Sequence, residues 1–225
     1  MKNSETEKKL AAKEAIKLIR PGQVVGIGTG STANFATYEL GDLVKKGLKI
    51  TGVPTSVQTK DLATSLGIPL LELETTTSID ITIDGADEFT EDLVLIKGGG
   101  GALFREKVVA SLTKQEIIIT DSSKKVEKIG KFKVPVEVAT FALGYVSEQL
   151  KHLAKGFNVR EKDGKRFLTD QANYIIDVDF GLIEDPLSIS EKLNNIEGVV
   201  CHGIFIGLAI KVIMGVGKET VSFAF

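Results

Sequence analysis

The chain has 225 residues, of which 43% are hydrophobic and 26% charged, with a formal net charge of -2. That length buries a full core, either as one large domain or as a domain with a small companion. Lysine and glutamate are interspersed, which excludes the basic stripe of a nucleic-acid binder, and no apolar run approaches the length of a membrane span. The lone cysteine, Cys201, excludes a disulfide framework. The two histidines give no metal-site spacing, so His152 and His202 are expected in surface or structural roles. The first ten residues, MKNSETEKKL, carry charge where a signal peptide has its apolar segment, and the expected compartment is the cytosol.

Residues 5–19 place Leu10, Ala11, Ala15, Leu18 and Ile19 on one face of a helix, which Arg20-Pro21-Gly22 stops. QVVGIGTGST follows as a strand and a glycine loop, then a helix from about Thr32 to Lys46 closed by Gly47. LKITGVPT is the second strand, and VQTKDLATSLG a helix ending at Gly67. IDITIDG and LVLIKG read as two further strands, ALFREKVVASLT as a helix and EIIITD as the next strand. Strands alternating with single helices define a parallel sheet covered on both faces.

After Ser123 the rhythm changes. KVEKIGKFKVPVEV is charged and strand-like, and Thr140 to Lys155 is helical. The segment from Phe157 to Phe180 has a hairpin turn at Asp163-Gly164 and then a long strand. A short helix, SISEKLNNIEG, and an extended VVCHGIFI follow. The expected organisation is an α/β domain over 1–130, completed by a returning tail over 206–225, with a small antiparallel α+β domain over 131–205.

Three segments carry candidate chemistry. GIGTGST, residues 26–32, lies between a strand and a helix, where free backbone N–H groups meet anions. The hydroxyls of Thr29, Ser31 and Thr32 add donors around Gly30. A dinucleotide fingerprint fails here: residue 31 is serine instead of the third glycine, and no acidic residue ends the second strand. The choice is between a site for a small phosphate or carboxylate and a tight turn without a ligand.

In DGADE, Asp84 and Asp87 flank Gly85 and Ala86 at a strand end. Such a carboxylate pair suits sugar hydroxyls, proton transfer or a metal, or forms an Asx turn and cap; no third metal ligand has a natural spacing. Glu88, Glu91 and Asp92 read as solvated surface. Lys97 ends LVLIK and faces Gly98, Gly99, Gly100 and Gly101. It either sets positive charge over a developing oxyanion or snorkels from a strand end. The glycines let a substrate approach the backbone closely. Glu106, in ALFREKVVA, is placed to move a proton at carbon, although by itself it reads more simply as a solvent-exposed helix glutamate.

Taken together, GIGTGSTA, VPTSVQT, DGADE, KGGGGAL followed by REK, and TDSSK resemble the A-type ribose-5-phosphate isomerase family in order and spacing. The likeness runs more loosely through VPVEV and FLTDQAN to IEGVVCHGIF. It implies a Rossmann-like sheet domain with a smaller α+β domain, and interconversion of ribose 5-phosphate and ribulose 5-phosphate without metal or organic cofactor. It also implies homodimeric or tetrameric assembly. Glu106 then matches the proton-transferring glutamate, Asp84 an aspartate linked to ring opening, Asp87 its neighbour in the sugar site, and Lys97 the lysine that polarises substrate oxygens. Thr29 to Thr32, Lys124 and Lys8 match substrate-binding positions, with Lys9 adjoining Lys8. Away from these blocks, Thr140 stands where the family usually has proline, Gln171-Ala172 replaces a usual Asn-Gly, and Leu208 replaces a usual arginine. The rival readings are another sugar-phosphate isomerase, a transferase of related fold with the glutamate as nucleophile (the chain is short for a coenzyme-A transferase), and a sugar-phosphate sensor, for which a helix-turn-helix segment and a basic face are missing.

Overall fold

The structure, a computed structural model, describes residues 2–224. The elements run α1 (Lys2–Ile16), β1 (Val24–Ile27), α2 (Ser31–Lys45), β2 (Thr51–Pro54), α3 (Val57–Ser65), β3 (Ile81–Gly85), β4 (Glu88–Phe89), β5 (Leu95–Ile96), α4 (Leu103–Leu112) and β6 (Glu116–Asp121). They continue with β7 (Val134–Val138), α5 (Leu143–Lys151), β8 (Gly156–Val159), β9 (Glu161–Lys162), β10 (Lys165–Arg166), β11 (Tyr174–Asp179), α6 (Pro186–Asn194), β12 (Val199–His202), β13 (Ile204–Phe205), β14 (Ala209–Val216) and β15 (Glu219–Ala224). The chain divides into two compact units, one of residues 1–86, 105–125 and 207–225, the other of 87–104 and 126–206.

The first unit is built on a six-stranded sheet ordered β15-β14-β6-β3-β1-β2. All its pairings are parallel except β14 with β15. The inner strands are continuous apolar runs, as strands buried on both faces must be; β6 is buried along its whole length. Val25, Ile27, Ile83, Ile117, Ile119 and Ile213 pack with Ala11, Ala12 and Ala15 of α1 and Ala36 and Leu40 of α2. Val53 and Ile79 pack with Val109 of α4 in a separate cluster. Small residues let α1 lie close to the sheet: a Cβ on Gly215 of β14 would strike the Glu7 backbone. Glu7 then ties three segments together, accepting from the Gly217 N–H at 2.9 Å, the Ser122 N–H at 3.0 Å and the Ser122 hydroxyl at 2.8 Å. The tail supplies β14 and β15 to one side of this sheet.

The second unit holds an antiparallel sheet ordered β12-β7-β11-β8, the three-stranded set β13-β5-β4 and the ribbon β9-β10. The first sheet and α5 enclose a core of Val134, Val136, Val138, Val146, Leu150 and Ile176 with its neighbours. The ribbon turns at Asp163 and Gly164, both at positive φ (54° and 72°), the backbone that a two-residue hairpin of this sequence demands. Ala172 also sits at φ 58°, a left-handed conformation that glycine at the family's usual Asn-Gly would adopt without strain. Thr140 opens a short 3-10 turn before α5.

LVLIK differs from its expectation. It supplies no strand to the parallel sheet; only Leu95 and Ile96 are extended, and they pair antiparallel with β4 and β13. An apolar run of four or five residues does not distinguish the two kinds of strand. The consequence is that Asp87–Phe104 belongs to the second unit, whereas the expected division fell at 130 and 206. Among the described residues no helix is long and apolar enough to cross a membrane.

Candidate active site

In the first unit, Asp84 stands on β3 and is 1% exposed. Its Oδ1 accepts from the Thr29 N–H at 3.1 Å and from the Gly85 N–H at 2.7 Å. Gly28 makes room for it: a Cβ there would lie 2.5 Å from the Asp84 Cα. Gly26 is likewise pressed against the Thr82 side chain. The two glycines of GIG thus let β1 and β3 pass closely, a packing need that a nucleotide fingerprint shares without a nucleotide being present. The Thr29 hydroxyl turns inward, 2.7 Å from the Thr55 hydroxyl, 2.8 Å from that of Ser56 and 3.0 Å from that of Thr59. The expectation of a free Thr29 hydroxyl for a ligand is replaced by a hydroxyl knot that fixes the loop. VPTSVQT supplies that knot, a function its spacing does not reveal.

Gly30 precedes α2 at φ 108°, a backbone open only to glycine without strain, and gives it no side-chain cap. Ser31 and Thr32 therefore open the helix with its first N–H groups lacking intrahelical partners, an anion-receptive terminus. Lys8, on α1, donates to the Ser31 hydroxyl at 3.1 Å and stands 3.8 Å from Asp121. An open cleft of about 520 Å³ is lined by Ser4, Lys8, Ser31, Asn34 and Tyr38, among others. Asp121 ends β6 and caps the turn that carries Lys124, accepting from the Ser123 N–H at 3.0 Å and from the Ser123 hydroxyl. Burial pushes the Asp121 carboxyl up, but the Ser123 and Ser4 hydrogen bonds and the Lys8 charge bring it below its ordinary value. Glu106, in the first turn of α4, is 5% exposed. A plain solvated helix glutamate, the simpler reading of that residue alone, is thereby corrected.

In the second unit, β4 and β5 lay the end of DGADE beside KGGGG. The Asp87 N–H donates to Ile96 O at 2.8 Å, and the Gly99 N–H donates to Asp87 Oδ2 at 2.7 Å. Lys97 is 2% exposed, with its Nζ 5.6 Å from the centroid of the Phe205 ring, so it does not snorkel to solvent. Gly98 is pressed against Leu103 and Pro135, Gly101 against the Phe167 ring, and both have positive φ (96° and 87°). Gly99 and Gly100 are exposed. Glu88 is not solvated surface: it is buried and accepts from the Gly130 N–H at 2.7 Å and the Phe132 N–H at 2.6 Å, because the two-residue strand needs a side chain to hold the next segment. His202 is buried in a structural role, accepting from the Ile204 N–H at 3.3 Å.

Two groups escape the sequence reading. Glu137 is fully buried; its Oε1 accepts from the Thr169 hydroxyl at 2.8 Å and from Asn173 Nδ2 at 3.0 Å. Burial raises its carboxyl above the ordinary range, and the Asn173 and Thr169 bonds only partly offset this. Arg160 grips the glycine run, as described below. Glu137 hides in an alternating strand and Arg160 in a charged hairpin, where neither spacing nor a motif marks them. Among the described residues no group of three or more His, Cys, Asp or Glu is arranged to hold a metal ion.

A parallel α/β unit with a buried carboxylate at a strand end, an anion-receptive helix terminus and a second buried carboxylate on a following helix is the arrangement an enzyme of small anionic substrates would use. The family model for ribose 5-phosphate isomerase A (phosphoriboisomerase A) matches residues 51–219. Relatives called ribose-5-phosphate isomerase A include one from Parvibaculum lavamentivorans, 46% identical over 97% of each chain, and one from Desulfatibacillum aliphaticivorans, 49% identical over 95% of each. Solved structures agree. A D-ribose-5-phosphate isomerase in complex with phospho-erythronic acid has a TM-score of 0.96 at 39% identity, over 99% of this chain and 100% of that one. The ribose 5-phosphate isomerase A of Methanocaldococcus jannaschii has 0.92 at 41%, over 97% and 98%. The chain belongs to the ribose 5-phosphate isomerase A family, whose enzymes interconvert ribose 5-phosphate and ribulose 5-phosphate.

Proposed function

We propose that this isomerase interconverts D-ribose 5-phosphate and D-ribulose 5-phosphate through an enediolate, with Glu106 moving the proton. The observation that carries the assignment of Glu106 is its burial in the first turn of α4 in a chain of this family. Glu106 takes the proton from C2 of the open-chain aldose, the C2–H pair forms the C1–C2 double bond of the enediolate as the carbonyl pair moves onto O1, the hydroxyl proton passes from O2 to O1, and Glu106 returns its proton to C1 as the C2 carbonyl forms. Negative charge grows on the substrate oxygen meanwhile. Lys97 and the backbone N–H groups of the glycine run meet that charge, as preorganised donors do in a dry site. Asp84 serves ring opening, and Asp87 fixes the glycine run through Gly99 and contacts sugar hydroxyls. The α2 terminus with Gly30, Ser31 and Thr32, joined by Lys8 and Lys124, holds the phosphate; that binding energy orients the reacting carbons. The neighbour that binds phospho-erythronic acid supports an acidic sugar phosphate as the ligand class. We place the enzyme in the cytoplasm, in the non-oxidative pentose phosphate pathway, as a homodimer or tetramer.

The test is turnover of ribose 5-phosphate by metal-stripped enzyme, with Glu106→Gln alongside. The change keeps size and removes the base, so turnover falls by about 10² or more while substrate binding survives. Near-parent turnover in this variant rejects Glu106 as the base.

A further inference from the structure

The glycine run is held by a residue outside every motif described above. Arg160 follows β8, and its guanidinium is mostly buried. Nη1 donates to Gly98 O at 3.0 Å and to Gly99 O at 3.1 Å. Nε donates to Asp177 Oδ2 at 2.9 Å, and Nη2 donates to Asp177 Oδ1. The guanidinium carbon lies 5.9 Å from the centroid of the Phe167 ring, the ring that presses on Gly101.

These contacts fix two peptide planes. The Gly98 carbonyl and the Gly99 N–H belong to one peptide, gripped at its oxygen by Arg160 and at its nitrogen by Asp87 Oδ2, 2.7 Å away. The Gly99 carbonyl and the Gly100 N–H belong to the next. With its oxygen on Arg160, the planar trans peptide directs the Gly100 N–H to the opposite side. Four glycines in a row have the freest backbone a chain offers, and an N–H that wanders cannot be a preorganised donor. The fork of a guanidinium, fixed in turn by Asp177, supplies the missing rigidity.

We propose that Arg160 is a positioning residue for the isomerisation, locking the Gly98–Gly99 and Gly99–Gly100 peptides so that the Gly100 N–H is aimed at the oxygen that gains charge. This rests on the glycine run being an oxyanion donor, as proposed above. Arg160 acts through the backbone and touches no reacting atom.

The experiment compares the full-length parent, Arg160→Lys and Arg160→Gln for kcat, KM, thermal midpoint and inhibition by phospho-erythronic acid, whose carboxylate carries charge of the kind the enediolate develops. Lysine keeps the charge but cannot bridge two carbonyls and a carboxylate as a fixed fork. Arg160→Lys is expected to stay folded, lose at least tenfold in kcat, change KM less than threefold and lose inhibitor affinity by about the factor lost in kcat/KM. Arg160→Gln is expected to lose more of kcat. A folded Arg160→Lys with kcat within twofold of the parent, or a loss confined to KM or to the thermal midpoint, overturns the assignment. Glu106→Gln run in parallel separates the two readings. If it is inactive while Arg160→Lys is normal, only the role of Arg160 fails; if it retains turnover, the assignment of the base fails by itself.

Discussion

Replacing Gly28 with alanine tests the placement of Asp84 directly. The added methyl would sit 2.5 Å from both the Cα and the Cγ of Asp84, where ordinary contact begins near 3.4 Å. The obstacle is backbone, and that backbone cannot swing aside freely. The Gly28 N–H donates to Ile83 O at 3.0 Å, and β1 and β3 are in register at Ile27 and Ile83. Overpacking of this kind costs about 1–3 kcal/mol, and a backbone obstacle belongs at the upper end. Shifting Asp84 also weakens the bond from the Thr29 N–H, a hydrogen bond to a charged group worth about 1.5–3 kcal/mol. The two ranges sum to about 2.5–6 kcal/mol. At about 2–4 °C per kcal/mol for a domain of this size, the thermal midpoint falls by about 5–24 °C.

Catalysis falls as well: with Asp84 in its proposed role, a displacement of about 1 Å in a positioned group costs about 10²-fold. The assay is ribulose 5-phosphate formation at a temperature where the variant remains folded, paired with a melting curve. Gly144→Ala is the control: a Cβ there meets nothing within 4 Å, and alanine suits its helix better than glycine. It should match the parent in turnover. Parent-like turnover and melting for Gly28→Ala would refute the account of why this loop carries glycine.

The other predictions concern charge, strain and pH. Lys97→Ala should lower kcat in greater proportion than Lys124→Ala, because Lys97 is proposed to meet charge that develops in the transition state, at about 3 kcal/mol for one such donor; equal effects on binding alone in both would reduce Lys97 to an anchor. Ala172→Gly should raise stability by up to about 1 kcal/mol by relieving the left-handed backbone at φ 58°, read as an increased denaturation midpoint at unchanged slope; a fall would show that alanine is not strained there. Glu137 has its carboxyl raised by burial, so its stabilising contribution is complete below the unfolded value, about 4.3, and is lost as pH rises through the folded one. Glu137→Gln cannot ionise, and its thermal midpoint should therefore improve relative to the parent as pH rises above the ordinary carboxylate value; a difference that stays flat with pH would contradict this.

Much of the first unit is legible in the sequence because its determinants are local. Gly47 and Gly67 close α2 and α3, although α1 stops at Ile16, short of Pro21; the buried strands are runs rich in Val and Ile, and single helices alternate with them. Asp84, Lys97 and Glu106 stand next to glycine-rich turns, where a charged side chain at a strand or helix end has few structural reasons to be. The second unit is less legible because its pairings are long-range. β4 and β5 contribute two residues each; they pair with one another, and β5 is held on its other side by β13, more than a hundred residues later in the chain. Periodicity over so short a segment has nothing to measure.

The same distinction explains why Arg160 and Glu137 stay hidden while Lys97 does not. Lys97 is conspicuous because its own neighbours, an apolar strand and a glycine run, are unusual hosts for a cation. Arg160 lies among Glu161, Lys162 and Asp163, ordinary company for a charge on a hairpin, and only the pairing of β8 with β11 brings it to Asp177 and the glycine carbonyls. A side chain that touches the substrate must sit where the chain leaves space, and space is written locally as glycine. A side chain that holds the backbone donors in place can come from any strand with the right register. Its partners are backbone carbonyls, which every residue has, so no residue type marks the receiving end.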